Sequence, residues 1–240
     1  MKEQLQKDFY NSIKNLSLSQ KDIEIKKFCL DNFIDKGFPN KKEEDWKFSD
    51  LNQIIKNNIG ELSFYNDQVS TNKVDTSVFV DGLEHNKIVF INGRIEKIDF
   101  EYEKKDQIEI IDQSETINEF KNSNSLSDLN NAFTNKCFKI LVKKGYQLVK
   151  PLIIYHTTNS KIWSKNINLR LNFELDTDSS LRLIDLFNDT SEKNFLNIFY
   201  NFELKENAVL KNYKVDKLEN KNIKYLSLIH ISEPTRPMNI

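Results

Sequence analysis

The chain has 240 residues, of which 38% are hydrophobic and 30% charged, a composition typical of a folded protein rather than a disordered one. Its 35 basic and 36 acidic residues leave a net charge of −1, so no basic surplus exists to neutralise a phosphate backbone, and nucleic-acid binding is not expected. The N-terminus is charged throughout and no apolar run approaches the ~20 residues that cross a bilayer, so we expect a cytoplasmic protein that contacts no membrane.

The first part of the chain carries the pattern of two amphipathic helices. Four apolar residues recur at spacings of four, four and three, as on one helical face: Leu5, Phe9, Ile13 and Leu16. A second helix is expected to begin after Ser19, a good N-cap residue, with Asp22 in its first turn. Gly37, which readily adopts positive φ, is expected to end it.

A third, shorter helix is predicted to follow, with Ser49 as its N-cap and Gly60 at its end. Its apolar residues again lie on one face: Leu51, Ile54 and Ile55. We therefore expect residues 1–60 to form an N-terminal helical domain.

Residues 61–136 are expected to be a linker that contains one β-hairpin and one short helix. The runs 87–91 and 94–98 are rich in β-branched residues and flank an Asn92-Gly93 pair. This dipeptide is the strongest short signal for a hairpin, because both turn residues need positive φ. Further on, residues 117–135 have a partly helical pattern.

After residue 137 the apolar residues alternate with a period of two, which is typical of strands. Six strands are predicted, at residues 138–142, 151–156, 167–175, 181–187, 195–204 and 209–215. No helix-length pattern separates these strands. The sequence therefore predicts a β-structured core over residues 137–225.

Two of the predicted strands repeat each other. Residues 172–175 and 201–204 both read Asn-Phe-Glu-Leu, lie 29 residues apart, and are followed at equal distances by a small residue, a leucine and a basic residue. A fixed repeat in a strand-rich region indicates a solenoid, in which each coil buries its apolar side against the next. The predicted fold class is therefore mainly β, a parallel β-helix of single strands, with an N-terminal α-helical region.

The last fifteen residues, 226–240, differ in style from the rest and hold half of the chain's four prolines. The stretch 226–236 resembles the in-frame translation of an adapter used in sequencing libraries. We therefore expect the native β-core to stop near Tyr225, and we assign no function to His230. The alternative is that these apolar residues form a genuine strand.

The thiol and imidazole side chains lack the pattern of a catalytic, cofactor or metal site, and we predict none. Cys29 and Cys137 are far apart, and neither belongs to a Cys-x-x-Cys pair, so two buried reduced thiols are expected. His156, at a strand end, is interpreted as structural and His85, in the linker, as solvated. Trp46 is expected to pack in the core rather than to anchor a partner.

An enzyme built on a β-helix, such as a polysaccharide lyase or hydrolase, is the alternative function. Such chemistry needs two carboxylates that converge on one face, or an acidic calcium site beside a basic catalyst. The candidates Asp176 and Asp178 suit a corner between strands, and Asp185 suits a strand face. No glycine-rich phosphate loop, nucleophile elbow or zinc pattern occurs in the sequence, so we expect that the protein is not an enzyme.

Three segments appear in the order found in one protein family. Residues 37–51 (GFPNKKEEDWKFSDL), 87–95 (KIVFINGRI) and 141–159 (LVKKGYQLVKPLIIYHTTN) resemble successive landmarks of the SufB/SufD family of iron–sulfur cluster assembly scaffolds. The first segment is nearer to the SufD branch than to the SufB branch. The resemblance covers about residues 37–225 and implies a right-handed β-helix between two helical domains. The C-terminal helical domain has no counterpart here, so we expect a β-helix that is incomplete at its C-terminal end.

The resemblance also implies partners. In this family SufB and SufD pair through their β-helices, and the SufC ATPase docks on their C-terminal helical domains. An iron–sulfur cluster assembles transiently near the SufB–SufD interface, on side chains of later coils, so we expect this chain to bind no cofactor itself. The expected function is a non-catalytic scaffold that pairs with SufB, exposes an unpaired edge that favours oligomerisation, and does not hold SufC.

Overall fold

The computed structural model describes residues 2–14, 16–64, 79–113, 124–158, 162–189, 191–216 and 222–232. Expectations for residues 65–78, 117–123 and 233–240 lie outside this part. Within it, the chain has a mixed α/β fold with two mixed sheets of five strands each and few helices. None of the described helices combines the length and the apolar character needed to cross a membrane.

The helical elements agree with the expected N-terminal helices and add one more. They are α1 (Lys2–Ile13), α2 (Gln20–Lys36), a 3-10 turn (Glu44–Trp46), α3 (Leu51–Asn58) and α4 (Ser125–Phe133). α2 begins with a capping box, in which the Ser19 and Asp22 side chains accept hydrogen bonds from each other's backbone N–H. The N-cap of α3 is Asp50 and not Ser49, because the Asp50 side chain accepts a hydrogen bond from the N–H of Gln53 at 2.9 Å.

From residue 137 onward the strands alternate between the two sheets. They are β1 (Asn86–Ile91), β2 (Arg94–Asp99), β3 (Ile108–Asp112), β4 (Cys137–Val142), β5 (Leu152–Thr158), β6 (Asn166–Leu175), β7 (Ser180–Asp189), β8 (Phe195–Leu204), β9 (Val209–Asp216) and β10 (Ile223–Ser232). The first sheet has the order β2-β1-β5-β7-β9, and the second has the order β10-β8-β6-β4-β3. From β4 to β8, each strand pairs in parallel with the strand two places later in the chain. The six strands predicted after residue 137 are all present as β4 to β9.

Residues 61–136 are more than a linker. The Asn92-Gly93 hairpin is present, since β1 and β2 are antiparallel on either side of it, but β1 also pairs in parallel with β5. β3, which the sequence pattern did not predict, pairs antiparallel with β4. Both segments therefore extend the sheets of the core. β3 has only five residues, and its apolar–polar alternation is limited to Ile108, Glu109 and Ile110, which is too short a pattern to predict a strand.

The two Asn-Phe-Glu-Leu segments occupy equivalent positions on β6 and β8. Their residues are partners one by one in the strand register. Phe173 and Phe202 stack in the core with ring centroids 5.1 Å apart. At the corners that follow, Asn207 and Asp178 both have positive φ, and Asn207 Nδ2 donates to Asp178 Oδ1 at 3.0 Å. The sequence repeat thus corresponds to neighbouring parallel strands held in register.

The helices cover the outer face of the second sheet, while a large apolar core lies between the sheets. α4 is joined to that outer face by Asn130, whose Nδ2 donates to the carbonyls of Leu169 and Asn197 at 3.1 and 2.7 Å. Phe195 and Phe199 of β8 belong to one cluster with the buried apolar residues of the helices, which we call the helical cluster. The helical part and the sheets are therefore one packed structure across β6 and β8.

β10 extends into the segment that the sequence suggested to be non-native. Residues 226–232 continue beside β8 in the same parallel register as residues 223–225. The strand continues past Tyr225 without interruption. This agrees with the alternative that residues 226–232 form a genuine strand. Because the apolar residues of this stretch suffice for pairing, the strand does not bear on where the sequence comes from.

Candidate functional site

The carboxylates considered for an enzyme do not meet at one place. Asp176 lies at the corner after β6, where its Oδ1 accepts from the N–H of Thr177 at 2.8 Å and lies 3.6 Å from Lys205 Nζ. The hydrogen bond from Thr177, and then the charge of Lys205, lower the pKa of Asp176. Asp178 lies at the same corner, whereas Asp185 is buried on the inner side of β7. These three residues therefore form no convergent pair.

Asp185 instead forms a cluster with His156 and Tyr200 between the two sheets. The Tyr200 hydroxyl donates to Asp185 Oδ1 at 2.6 Å, and the same oxygen lies 3.0 Å from His156 Nε2. The hydroxyl is also 2.9 Å from that nitrogen. The imidazole is stacked between Phe90 and Phe187, at centroid distances of 5.7 and 4.5 Å. No local pattern in the sequence indicates this cluster, because its members come from three strands, β5, β7 and β8.

The side chains of this cluster are buried around a carboxylate and are not accessible to a substrate. His156, Asp185 and Tyr200 expose at most 3% of their surface. Burial, followed by the charge of Asp185, raises the pKa of Tyr200 well above its usual value, so the hydroxyl stays protonated and continues to donate. The cavity beside His156 has a volume of about 10 Å³, room for one water molecule. The geometry therefore agrees with a structural role for His156.

Two other interpretations of side chains have different outcomes. His85, expected to be solvated, is buried, with its Nε2 2.7 Å from the Tyr155 hydroxyl and its Nδ1 2.6 Å from the Leu83 carbonyl, so that interpretation is wrong. The prediction failed because the partner Tyr155 is distant in sequence and the residues next to His85 are polar, as in an exposed segment. Cys29 and Cys137 are buried and free, as expected. Burial raises their pKa to about 12 and about 11, which makes them poor nucleophiles and ligands.

Two basic side chains, the buried Lys26 and the partly buried Arg170, join the helices to the second sheet. Lys26 Nζ donates to the carbonyls of Asn131 and Thr134 at 3.1 and 2.6 Å, near the C-terminal end of α4, where a helix dipole favours a cation. Burial lowers the pKa of Lys26 to about 8. Arg170 Nε donates to Asn130 Oδ1 at 3.2 Å. These donors are used within the protein, so we assign them a structural role.

A metal site is not evident in the described ranges, which contain no group of three His, Cys, Asp or Glu side chains placed to hold an ion. Trp46 is partly buried against the helical cluster, with its ring centroid 6.0 Å from that of Tyr225. This contact agrees with a packing role for Trp46.

The strongest candidate site is a surface, which we call the open edge and define as β9 and β10. β9 ends the first sheet and β10 ends the second, so in the described chain each strand has a neighbour on one side only. Three apolar side chains of β9 are between 48% and 55% exposed: Val209, Tyr213 and Val215. Unpaired backbone groups beside exposed apolar side chains are a template for the addition of a partner's strand.

Comparison with known proteins does not identify a family or a function for this chain. No protein-family model matches this chain, and no curated protein gives a significant match. The functional argument therefore rests on the strand register, the open edge and the sequence landmarks.

Each of the three landmark segments contains a turn that needs a glycine. Gly37 ends α2 with φ +72°, Gly93 lies in the β1–β2 turn with φ +78°, and Gly145 lies between β4 and β5 with φ +70°. L-residues with a side chain rarely adopt such angles. The landmarks are thus places where the backbone itself constrains the sequence.

Proposed function

We propose that this chain is a scaffold subunit of the SufB/SufD family, closest to SufD, that serves iron–sulfur cluster assembly by pairing with SufB. In this proposal the strands β4 to β10 are coils of a right-handed parallel β-helix, and the protein works in the cytoplasm. The iron–sulfur cluster is cargo that assembles between the two chains, and the SufC ATPase acts on the complex.

The observation that carries the proposal is the parallel, in-register pairing of strands that alternate between two sheets. Partners on β6 and β8 are 29 residues apart (172 with 201), and so are partners on β7 and β9 (180 with 209). A β-helix produces this relation, because each coil visits both sheets once before the chain returns one layer higher. The glycine turns at the three landmarks support the family, since they give the sequence resemblance a structural reason.

In the proposed role as a partner-binding scaffold, the open edge is the surface that meets the partner. A strand added to β9 or β10 would gain main-chain hydrogen bonds and cover the exposed apolar side chains. The alternative of a carbohydrate-active enzyme has no comparable support, because Asp176, Asp178 and Asp185 do not converge among the described residues.

We expect the Val215→Lys variant to bind SufB from the same organism at least about tenfold more weakly than the unaltered chain. The substitution replaces an exposed apolar side chain of β9 with a charged one, and charged residues on edges oppose strand addition. The affinity is measured by biolayer interferometry with immobilised SufB, after co-expression has shown a complex.

The matched control is Ile111→Lys on β3, which is the edge strand at the other end of the second sheet and is 40% exposed at this residue, against 52% for Val215. This variant should bind SufB as tightly as the unaltered chain. An absent complex, or equal weakening by both substitutions, contradicts the proposal, and cleavage of a polysaccharide would favour the alternative.

A further inference from the structure

A groove of about 1010 Å³ lies where α1, α3 and two connecting segments meet, away from the residues used so far. Its floor includes the buried side chains Phe38, Ile55 and Phe64. The segments 60–64 and 163–165 line its sides. A groove of this volume has room for several side chains of a ligand.

Trp163 stands on one side of the groove with 76% of its surface exposed, although the backbone around it is fixed. Ile162 is buried in the core between the sheets. The N–H of Ser164 donates to the carbonyl of Lys193 at 3.0 Å, and its carbonyl accepts from the N–H of Ser63 at 2.8 Å. An aromatic ring on a fixed backbone loses little conformational freedom when a partner covers it, which is the property of a binding hot spot.

The other side of the groove is also formed in advance. The N–H of Phe64 donates to the buried carboxylate of Asp8 at 2.7 Å. The carbonyl of Ser63 accepts from the N–H of Asn166 at 2.8 Å, which ties this segment to β6. The groove therefore needs no rearrangement of these segments before it can bind.

The charged residues that line the groove are Lys56, Lys165 and Glu61, which leave one positive charge in excess. The other polar lining residues are neutral: Gln4, Asn52, Ser63 and Ser164. A complementary ligand carries apolar groups for the floor and carboxylates for the rim. The exposure of Trp163 shows that the groove is open to solvent, which suits an extended chain better than a small molecule, since small molecules are enclosed on most sides.

We propose that this groove binds an acidic peptide segment of a partner protein, with an apolar side chain on the floor, Trp163 packed over it, and carboxylates near Lys56 and Lys165. This site is separate from the open edge, and it does not depend on the proposed pairing with SufB. The peptide is recognised by an aromatic anchor and by charge, so its binding weakens as the salt concentration rises.

The test is selection from a random twelve-residue phage-displayed peptide library on the immobilised full chain, followed by fluorescence anisotropy with the enriched peptides. We expect enriched peptides to combine Asp or Glu with large apolar residues. Trp163→Ala should weaken their binding at least about tenfold, and Lys56→Glu about fivefold. Both substitutions lie at exposed positions, so circular dichroism and thermal unfolding should stay unchanged.

Phe48→Ala is the matched control, because Phe48 is 87% exposed and does not line the groove. This variant should bind the peptides normally, and so should Val215→Lys, which separates this site from the open edge. The absence of enriched peptides, enrichment of neutral or basic peptides, or binding that survives Trp163→Ala overturns the proposal.

Discussion

We expect the Tyr200→Phe variant to lose about 2–3 kcal/mol of the free energy of unfolding, which is a large share of the stability of an ordinary domain. The substitution removes the hydroxyl that donates to Asp185 at 2.6 Å and leaves the ring in place. Asp185 Oδ2 has no hydrogen-bond partner among the described atoms, so the carboxylate depends on the two groups that meet Oδ1. Removing the hydroxyl leaves His156 Nε2 as the remaining partner of this buried carboxyl group, and a buried polar group that loses a hydrogen bond costs stability.

Tyr155→Phe is the control for this prediction. Tyr155 is as deeply buried as Tyr200, but its hydroxyl contacts the N–H of Val80 and His85 Nε2 rather than a carboxylate. A hydrogen bond that involves no carboxylate contributes about 1 kcal/mol, less than one to a carboxylate, so this variant should lose less. Urea unfolding monitored by circular dichroism gives both values. Equal losses in the two variants would show that the hydrogen bond from Tyr200 to Asp185 contributes no more than the contacts of the Tyr155 hydroxyl.

The second large effect is expected at the tip of the β1–β2 hairpin, where Gly93→Ala should cost about 2–4 kcal/mol. Gly93 has φ +78°, and a Cβ built on it would lie 2.5 Å from Cγ2 of Ile167 on β6. The hairpin belongs to the first sheet and Ile167 to the second, so the substitution pushes the two sheets apart at this point. The backbone strain and the steric conflict therefore add.

Gly145→Ala separates these two contributions. Gly145 has a similar φ of +70°, but a Cβ at this position would meet no atom within 4 Å. We expect this variant to lose only about 1 kcal/mol, the effect of placing a side chain in the left-handed region. Thermal unfolding of both variants measures the difference. If Gly93→Ala and Gly145→Ala were equally destabilising, the close contact between hairpin and β6 would not exist in solution.

The features that could be predicted from the sequence are those set by local patterns. Strands from β4 onward show apolar alternation, and the cap at Ser19 and the turn at Asn92-Gly93 are determined by a few neighbouring residues. The repeat at 172–175 and 201–204 also predicts a contact between distant residues, because identical segments at a fixed spacing are expected to stack on each other.

The features that escaped prediction depend on contacts between distant residues. The Asn92-Gly93 turn is visible in the sequence, but its contact with Ile167 is not. The charge of Asp185 has partners on β5 and β8, so no pattern within β7 reveals them. Trp163 gave no signal, because a single exposed aromatic residue has no periodicity, and only its fixed backbone marks it as a candidate anchor.

The parallel pairing of residues 29 apart on neighbouring strands is the foundation of the proposed function, and a disulfide test examines this pairing directly. Arg182 and Lys211 are partners on β7 and β9, and both are exposed. Neighbouring strands place such Cα atoms about 5 Å apart, within the range of a disulfide, whereas Tyr213, two residues further along β9, is about 8 Å from Arg182 and beyond it.

We predict that mild oxidation of the Arg182→Cys, Lys211→Cys double variant forms an intramolecular disulfide, detected as a cross-linked peptide by mass spectrometry. The Arg182→Cys, Tyr213→Cys variant should remain reduced under the same conditions, and the buried native thiols should not react in either protein. Equal cross-linking of the two variants, or cross-linking only of the second, would contradict the stacked-coil structure on which the scaffold function depends.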